Sequence, residues 1–386
     1  MKKDKPKKGI IIAFGELFLK SQGVRNIFIK RLVWNLIYFF EKEEIKFKIH
    51  LSHERIFAEI ASNPKKAKEI IKRTFGISWL AEGFLFSKAD FNEVLEFIKN
   101  NHRDWIKDKE TFAIRLKTDS EIKNKTEIID KIAELINRKV DLSNPKKQIF
   151  IEAKKGNWFV CFKKIKGKGG FPAGSSGKAL VLMSGGIDSP VASYFALKKG
   201  AENIWLHFHS FPLVSNKSIE KVKETAKIFL DFQPKLKILF VPFQRAQIEI
   251  KLKVPAEYRI LIYRRLMFRI AEKIAEMEKC QALVTGESLG QVSSQTMPNM
   301  KIIEEAVKIP ILRPLICNDK EEIIAVSKEI GVYDISIKLQ EDCCTLFAPR
   351  HSSANGNIKI VKELEKKLDI KKIIKNAIGG VKVEIY

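Results

Sequence analysis

At 386 residues, with 45% apolar and 30% charged side chains, the chain has the length for two or three domains and the composition of ordinary globular protein. No stretch approaches the roughly 20 apolar residues that span a bilayer, and five cysteines at irregular spacing make no disulfide framework, so a reducing cytoplasm is expected. The formal net charge of +25, divided as +16 over residues 1–177 and +9 over 178–386, points either to a polyanion such as nucleic acid or to a lysine-rich composition without any such partner.

Residues 8–19, KGIIIAFGELFL, read as a strand behind a basic tail from Lys2 to Lys8. The start mimics a signal peptide, but Glu16 and Lys20 interrupt its apolar run and no small-residue cleavage site follows. A helix is expected over 24–40, with Ile27, Leu32, Leu36 and Phe39 on one side, then strands over 46–51 and 55–60. After the break at Asn63-Pro64 come a helix over 65–74, a strand over 79–86, a helix over 91–101, a strand over 111–117, a helix over 125–140, and strands over 148–153 and 158–164. This mixture argues two small α+β units, 1–63 and 64–166. Their basic positions include Lys72, Arg73, Arg103, Arg115 and Lys117.

Glycine and serine accumulate at 167–177, GKGGFPAGSSG, which reads as a linker. Beyond it, over 178–386, apolar strands at 179–183, 204–208, 236–241 and 281–285 alternate with helices near 190–199, 217–231, 258–279 and 319–330. That period predicts a doubly wound parallel sheet covered on both faces, with ligands at the carboxyl ends of its strands. The SGGIDS stretch, His207 and Gly286 all fall at such ends.

The stretch ALVLMSGGIDSP, 179–190, reads as strand, tight glycine turn, helix, with Pro190 suited to a first helical turn. In such a turn the N–H groups of Gly185, Gly186 and Ile187 can converge beside the positive end of a helix dipole and hold an anion. Ser184 and Ser189 add hydroxyls, and Asp188 either binds Mg²⁺ or orders the turn. The loop lacks the lysine of a Walker motif. A lone Ser-Gly-Gly can also be a packing turn; SGGIDS, six matching residues directly after a strand, resembles the PP-loop of ATP pyrophosphatases, which adenylate a substrate.

Further stretches resemble one family, the tRNA uracil 4-sulfurtransferases: GELFLK (15–20), VDLSNPKKQIFIE (140–152), FPAGSSGKALVLMSGGIDSPVA (171–192), HFHSFP (207–212), TGESLGQVSSQT (285–296), ILRPLICNDKEEI (311–323) and EDCCTLFAP (341–349). The resemblance implies a ferredoxin-like domain, a THUMP domain that binds tRNA, and an α/β PP-loop domain, here without the rhodanese-like domain some members carry. It implies adenylation of uridine O4 by ATP with Mg²⁺, then attack by persulfide sulfur at C4 to give 4-thiouridine, position 8 being the family's target. Leu182, Met183, His207 and Phe208 would border the adenine, and Ser184, Gly185, Gly186, Ile187, Asp188 and Ser189 would hold the phosphates. Arg264, Gly286 and Gln295 would complete the nucleotide pocket, Lys320 would stabilise developing negative charge, and Cys343 or Cys344 would carry the sulfur. The same resemblance implies tRNA and a cysteine desulfurase or other persulfide donor as partners, with a homodimer left open.

Each assignment has a plainer counterpart. His207 and His209 share one face of a strand and could ligate metal or simply pack. Arg264 or Arg265 could belong to a solvated helix face, Lys320 could be a helix-start charge, and Cys343–Cys344 a small core pair. The CxxC pair of iron–sulfur members is absent, so a cluster would need Cys280, Cys317 and Cys343 together. Two other readings of the chain remain: a PP-loop amide or amine ligase acting on a small molecule, which leaves the basic half unexplained, and a non-catalytic RNA-binding protein, against which the SGGIDS loop, Lys320 and Cys343 speak.

Overall fold

A computed structural model describes residues 5–15, 20–52, 55–119, 124–339, 347 and 353–386. The chain divides into two compact units, Met1–Gly170 and Phe171–Tyr386. The expected GELFLK and EDCCTLFAP stretches lie mostly outside the described residues, Cys343 and Cys344 among them.

The first unit runs β1 (Lys7–Phe14), α1 (Gln22–Lys42), β2 (Phe47–Ser52), β3 (Arg55–Ile60), α2 (Pro64–Arg73), β4 (Ile77–Phe86), α3 (Phe91–Trp105), β5 (Phe112–Thr118), α4 (Lys125–Ile136), β6 (Lys147–Lys154), β7 (Asn157–Cys161) and β8 (Ile165–Lys166). Its strands form one sheet in the order β2-β3-β1-β4-β7-β6-β5, with β8 on β4. Strand periodicity explains the layering. Ile10, Ile12 and Leu80 face Leu32, Leu36, Ile70 and Ile71 of the helices, whereas Ile11 and Ala81 join Phe57, Phe159 and Cys161 on the opposite face. A second helix-facing core gathers Val94, Ile98, Ile132 and Ile136 against Phe112, Ile114, Ile149 and Ile151.

Two features of this unit depart from the sequence reading. The sheet runs without interruption past residue 64: β4 pairs antiparallel with β1, and α2 shares the core of β1, so no structural seam follows Asn63. Helix α4 ends at Ile136 instead of reaching 140, because Asn137 is left-handed at φ 47° and Val140 bridges to Phe112.

The second unit runs β9 (Lys178–Leu182), α5 (Asp188–Lys198), β10 (Glu202–His209), α6 (Lys217–Phe229), β11 (Lys237–Pro242), α7 (Gln244–Lys253), α8 (Arg259–Met277), β12 (Ala282–Val284), α9 (Met297–Glu304), β13 (Ile311–Leu312), α10 (Lys320–Glu329), α11 (Tyr333–Ser336), α12 (Ile358–Glu365), α13 (Ile370–Gly379) and β14 (Lys382–Ile385). The sheet order is β13-β12-β9-β10-β11-β14. Its first five strands are parallel as expected, but β14 returns antiparallel on β11 through Lys237↔Ile385 and Phe240↔Lys382. From β9 the chain winds outward through β10 and β11, then crosses to β12 on the other side. The order therefore reverses between β9 and β12, the place where such sheets open a crevice at their carboxyl ends. Along β10, Leu206 and Phe208 face the α8 core while Trp205 and His207 face α5 and α6.

Candidate functional site

A cavity of about 380 Å³ opens at that reversal, lined by the ends of β9, β10 and β12, by α8 and by residues 291–295. Leu182, Leu206, Phe208, Ile260, Met267 and Phe268 make one apolar side, and Ser184, Asp188, Ser189, Arg264 and Gln291 make a polar end. An elongated ligand with a flat apolar part and an anionic part suits these walls.

The glycine turn bounds the polar end. Gly185 adopts φ 81°, a conformation open to glycine at little cost. Ser189 Oγ accepts from Ser184 N at 3.0 Å and lies 3.1 Å from Ser184 Oγ, which ties the end of β9 to the first turn of α5. Of the three N–H groups expected to converge, that of Gly186 faces back to Ser184 Oγ at 3.3 Å. Gly286 explains itself by packing: a Cβ there would sit 2.7 Å from Asp188 C and Ser189 N, so only glycine lets β12 approach the start of α5. Asp188, the first residue of that helix, accepts from Lys320 Nζ at 2.5 Å and from Gln291 Nε2 at 3.2 Å.

Arg264 reaches the cavity from α8 and is held by Glu287. Glu287, 2% exposed, also accepts from Arg313 Nε at 2.8 Å and Thr285 Oγ1 at 2.9 Å. Burial raises its pKa, but the Arg264 and Arg313 guanidiniums outweigh that and hold the carboxyl below its usual range. Arg264 Nε is buried without a hydrogen-bond partner among the described residues, a donor left for a ligand. Neither arginine lies on a solvated face, contrary to one sequence reading. Arg265 is 1% exposed and donates to Glu365 Oε1 and Oε2 at 2.9 and 3.0 Å and to Glu305.

His207 is a structural histidine and not an open metal ligand. Its Nδ1 donates to Met183 O at 2.8 Å and its Nε2 meets Ser218 Oγ at 3.2 Å, while burial pulls its pKa down to about 4. Of the three thiols that a cluster would need, Cys343 lies outside the described residues and the other two stand apart. Cys280 is buried before β12, at the amino ends of the strands, and burial pushes its thiol up to about 11. Cys317 is exposed beyond β13, near Ser288 at the carboxyl ends. The expected residues Leu182, Met183, Ser184, Asp188, Ser189, His207, Phe208, Arg264, Gly286 and Gln295 thus surround one cavity, with Gly185, Gly186 and Ile187 in the turn and Lys320 on Asp188. Glu287, Gln291 and Arg313 escaped the sequence reading although they stand within two of the stretches it singled out; a buried carboxylate between arginines has no periodic signature.

In the first unit, Lys72, Arg103 and Lys117 are exposed. Arg73 packs over Phe39, and Arg115 donates to Leu142 O at 2.6 Å. The five do not form one cluster. Lys72, Arg73 and Arg103 ride on helices of one sheet face, whereas Arg115 and Lys117 alternate with Ile114 and Leu116 and so leave β5 on the other.

Comparison with known proteins follows the same division. The family described as thiamine biosynthesis protein (ThiI) matches residues 174–370, the ThiI ferredoxin-like domain matches 9–81, and the THUMP domain matches 88–162. A probable tRNA sulfurtransferase of Caldanaerobacter subterraneus subsp. tengcongensis is 37% identical over 377 residues, covering 95% of this chain and 97% of that protein. One from Halothermothrix orenii is 37% identical over 398 residues, covering 97% and 98%. Among solved structures, a 4-thiouridine synthetase in complex with RNA and bound ATP superposes with TM-score 0.85 at 33% identity, covering 98% of this chain and 99% of its own. PH1313 from Pyrococcus horikoshii shares the fold at TM-score 0.64 and 22% identity, covering 84% of this chain and 99% of its own.

Proposed function

The chain belongs to the ThiI family of tRNA sulfurtransferases, and from that membership and the cavity's geometry we propose that it converts a uridine of tRNA, at position 8, to 4-thiouridine at the cost of one ATP. The observation that carries the reading is the meeting of Asp188 and Lys320 at the start of α5, beside an apolar cavity that ends in a free Arg264 Nε. A nucleotide base fits between Leu182, Phe208 and Phe268, with its phosphates at the turn from Ser184 to Ser189 and near Arg264. Among the described residues no group of three or more His, Cys, Asp or Glu could hold a metal by itself. Asp188 with phosphate oxygens nevertheless fits a Mg²⁺ ion, which would screen the phosphate charge.

Uridine O4 attacks the α-phosphorus and pyrophosphate leaves; Lys320 stabilises the charge that develops. The terminal sulfur of a persulfide on Cys343 then attacks C4 and AMP departs. A second thiol, Cys344 or one on the donor, closes a disulfide with Cys343 and frees the thiouridine, and a thiol reductant reopens it. Lys72, Arg73, Arg103, Arg115 and Lys117 contribute phosphate contacts to tRNA, and a cysteine desulfurase supplies the sulfur. No helix among the described residues is long and apolar enough to cross a membrane.

The test is incubation with unmodified tRNA, ATP, Mg²⁺ and a persulfide donor, followed by nucleoside analysis. Thiouridine formation supports the proposal. ATP cleavage indifferent to tRNA would favour a small-molecule ligase, and tRNA binding without turnover a non-catalytic RNA-binding protein. Cys343→Ser should abolish thiolation and leave tRNA binding intact; full activity in that variant would move the sulfur to Cys344.

A further inference from the structure

We propose that Asn299 is a positioning residue that registers the nucleotide cavity to the chain leaving the cysteine-bearing segment, an inference resting on the reading that Cys343 or Cys344 carries the sulfur. Asn299 stands in the first turn of α9 and is nevertheless 0% exposed. Its Nδ2 donates to Ser293 O at 2.6 Å and to Ser353 O at 2.8 Å, and its Oδ1 accepts from Gly356 N at 2.9 Å. Ser293 lines the cavity, and Ser353 and Gly356 belong to the stretch that resumes after the cysteines.

The neighbours make this junction stiff. Thr296 Oγ1 donates to Ala354 O at 2.7 Å, beside the Asn299 contacts. Gly290 N donates to Gln295 O at 2.9 Å, which closes the cavity-wall loop on itself. The chain at Gly356 packs closely here: a Cβ on it would fall 2.6 Å from Leu261 Cδ1 and 3.0 Å from Asn299 Oδ1. Only a side chain with donors on one arm and an acceptor on the other satisfies two carbonyls and one N–H together; aspartate lacks the donor and leucine lacks both. A residue that served packing alone would tolerate an apolar isostere. This one joins a wall of the proposed adenylation site to the chain that follows Cys343 and Cys344 in sequence, so its loss should separate the two half-reactions.

The experiment measures AMP and 4-thiouridine made in the same reaction by the full chain, with unmodified tRNA, ATP, Mg²⁺ and a persulfide donor. Native protein should release one AMP per thiouridine. Asn299→Asp should keep AMP formation while thiouridine falls about tenfold, equivalent to about 1.4 kcal/mol, because water hydrolyses the waiting adenylate back to uridine and AMP. Thr296→Val, a gentler change, should raise the AMP-to-thiouridine ratio in the same direction and decides the matter if Asn299→Asp does not fold. A parallel fall of both products, or no change in either, overturns the proposal. Cys343→Ser and Cys344→Ser run alongside; thiouridine from both would sink the sulfur-carrier reading itself, whatever the Asn299 ratio.

Discussion

Lys320 Nζ lies 2.5 Å from Asp188 Oδ1, joining the first residue of α10 to the first residue of α5 across 132 positions of sequence. Asp188 suits its place, since a carboxylate complements the positive end of a helix. Lys320 does not, and α10 is capped without it by the reciprocal Asp319–Glu322 box. A lysine where the dipole disfavours it does nothing for its own helix, and its contact with Asp188 supports the charge-stabilising role proposed for it.

Lys320→Met should therefore lower turnover by about 10²–10³, the usual loss when a charge-stabilising donor is removed. The pair is partly exposed, so its stability contribution should stay within about 1 kcal/mol. Steady-state AMP formation and a thermal melt check the two halves; a large fall in melting temperature with normal turnover would contradict the role. Asp188→Ala should likewise stop adenylation, and unchanged AMP release would remove Asp188 from the reaction.

Glu287→Gln should cost about 3–5 kcal/mol of stability and raise KM for ATP, because Arg264 and Arg313 lose the buried carboxylate that orients them. Since the native pKa of Glu287 is lowered, its contribution is present above about pH 4.5 and is lost as pH falls through the native value. Glu365, which burial opposes but Arg265 and Arg269 hold ionised, follows the same sign. The stability obtained from denaturant melts should fall from pH 6 to pH 3 more steeply in the native protein than in Glu287→Gln.

For Gly286→Ala the obstacle is backbone, which cannot rotate away as a side chain can. A loss of about 1–3 kcal/mol is expected, together with weaker ATP binding as the start of α5 is displaced. Calorimetric titration with ATP would show it; native affinity in the folded variant would remove Gly286 from the site's architecture.

His207 should not contribute a step to the pH–rate profile near neutrality, because it stays uncharged in the folded protein down to about pH 4. The unfolded chain protonates it below 6.5, so stability should fall with pH across the window from 6.5 to about 4, by at most about 1.4 kcal/mol per pH unit. His207→Gln should flatten that part of the stability curve. A titration of this ring near pH 6.5 by NMR would refute the assignment.

Much of the molecule was legible before any coordinates. The order of the elements from β1 to β7, of strands β9 to β12 and of helices α5, α6, α8 and α10, with the turn at Ser184–Ser189 and its place after β9, follows from local periodicity and small residues, which act within a few positions of chain; α7, α9, β13 and the elements after α10 did not declare themselves that way. So does the family, whose motifs are contiguous stretches. Only tertiary structure could decide that β4 closes on β1 and makes a continuous sheet across residue 64, that β14 returns antiparallel, or that Cys280 and Cys317 stand at opposite ends of the strands. The same holds for Glu287 between two arginines and for Asn299 between Ser293 and Ser353. These relationships pair residues tens to more than a hundred positions apart, and buried polar partners are chosen by the space the packed helices leave, which no spacing in the chain records.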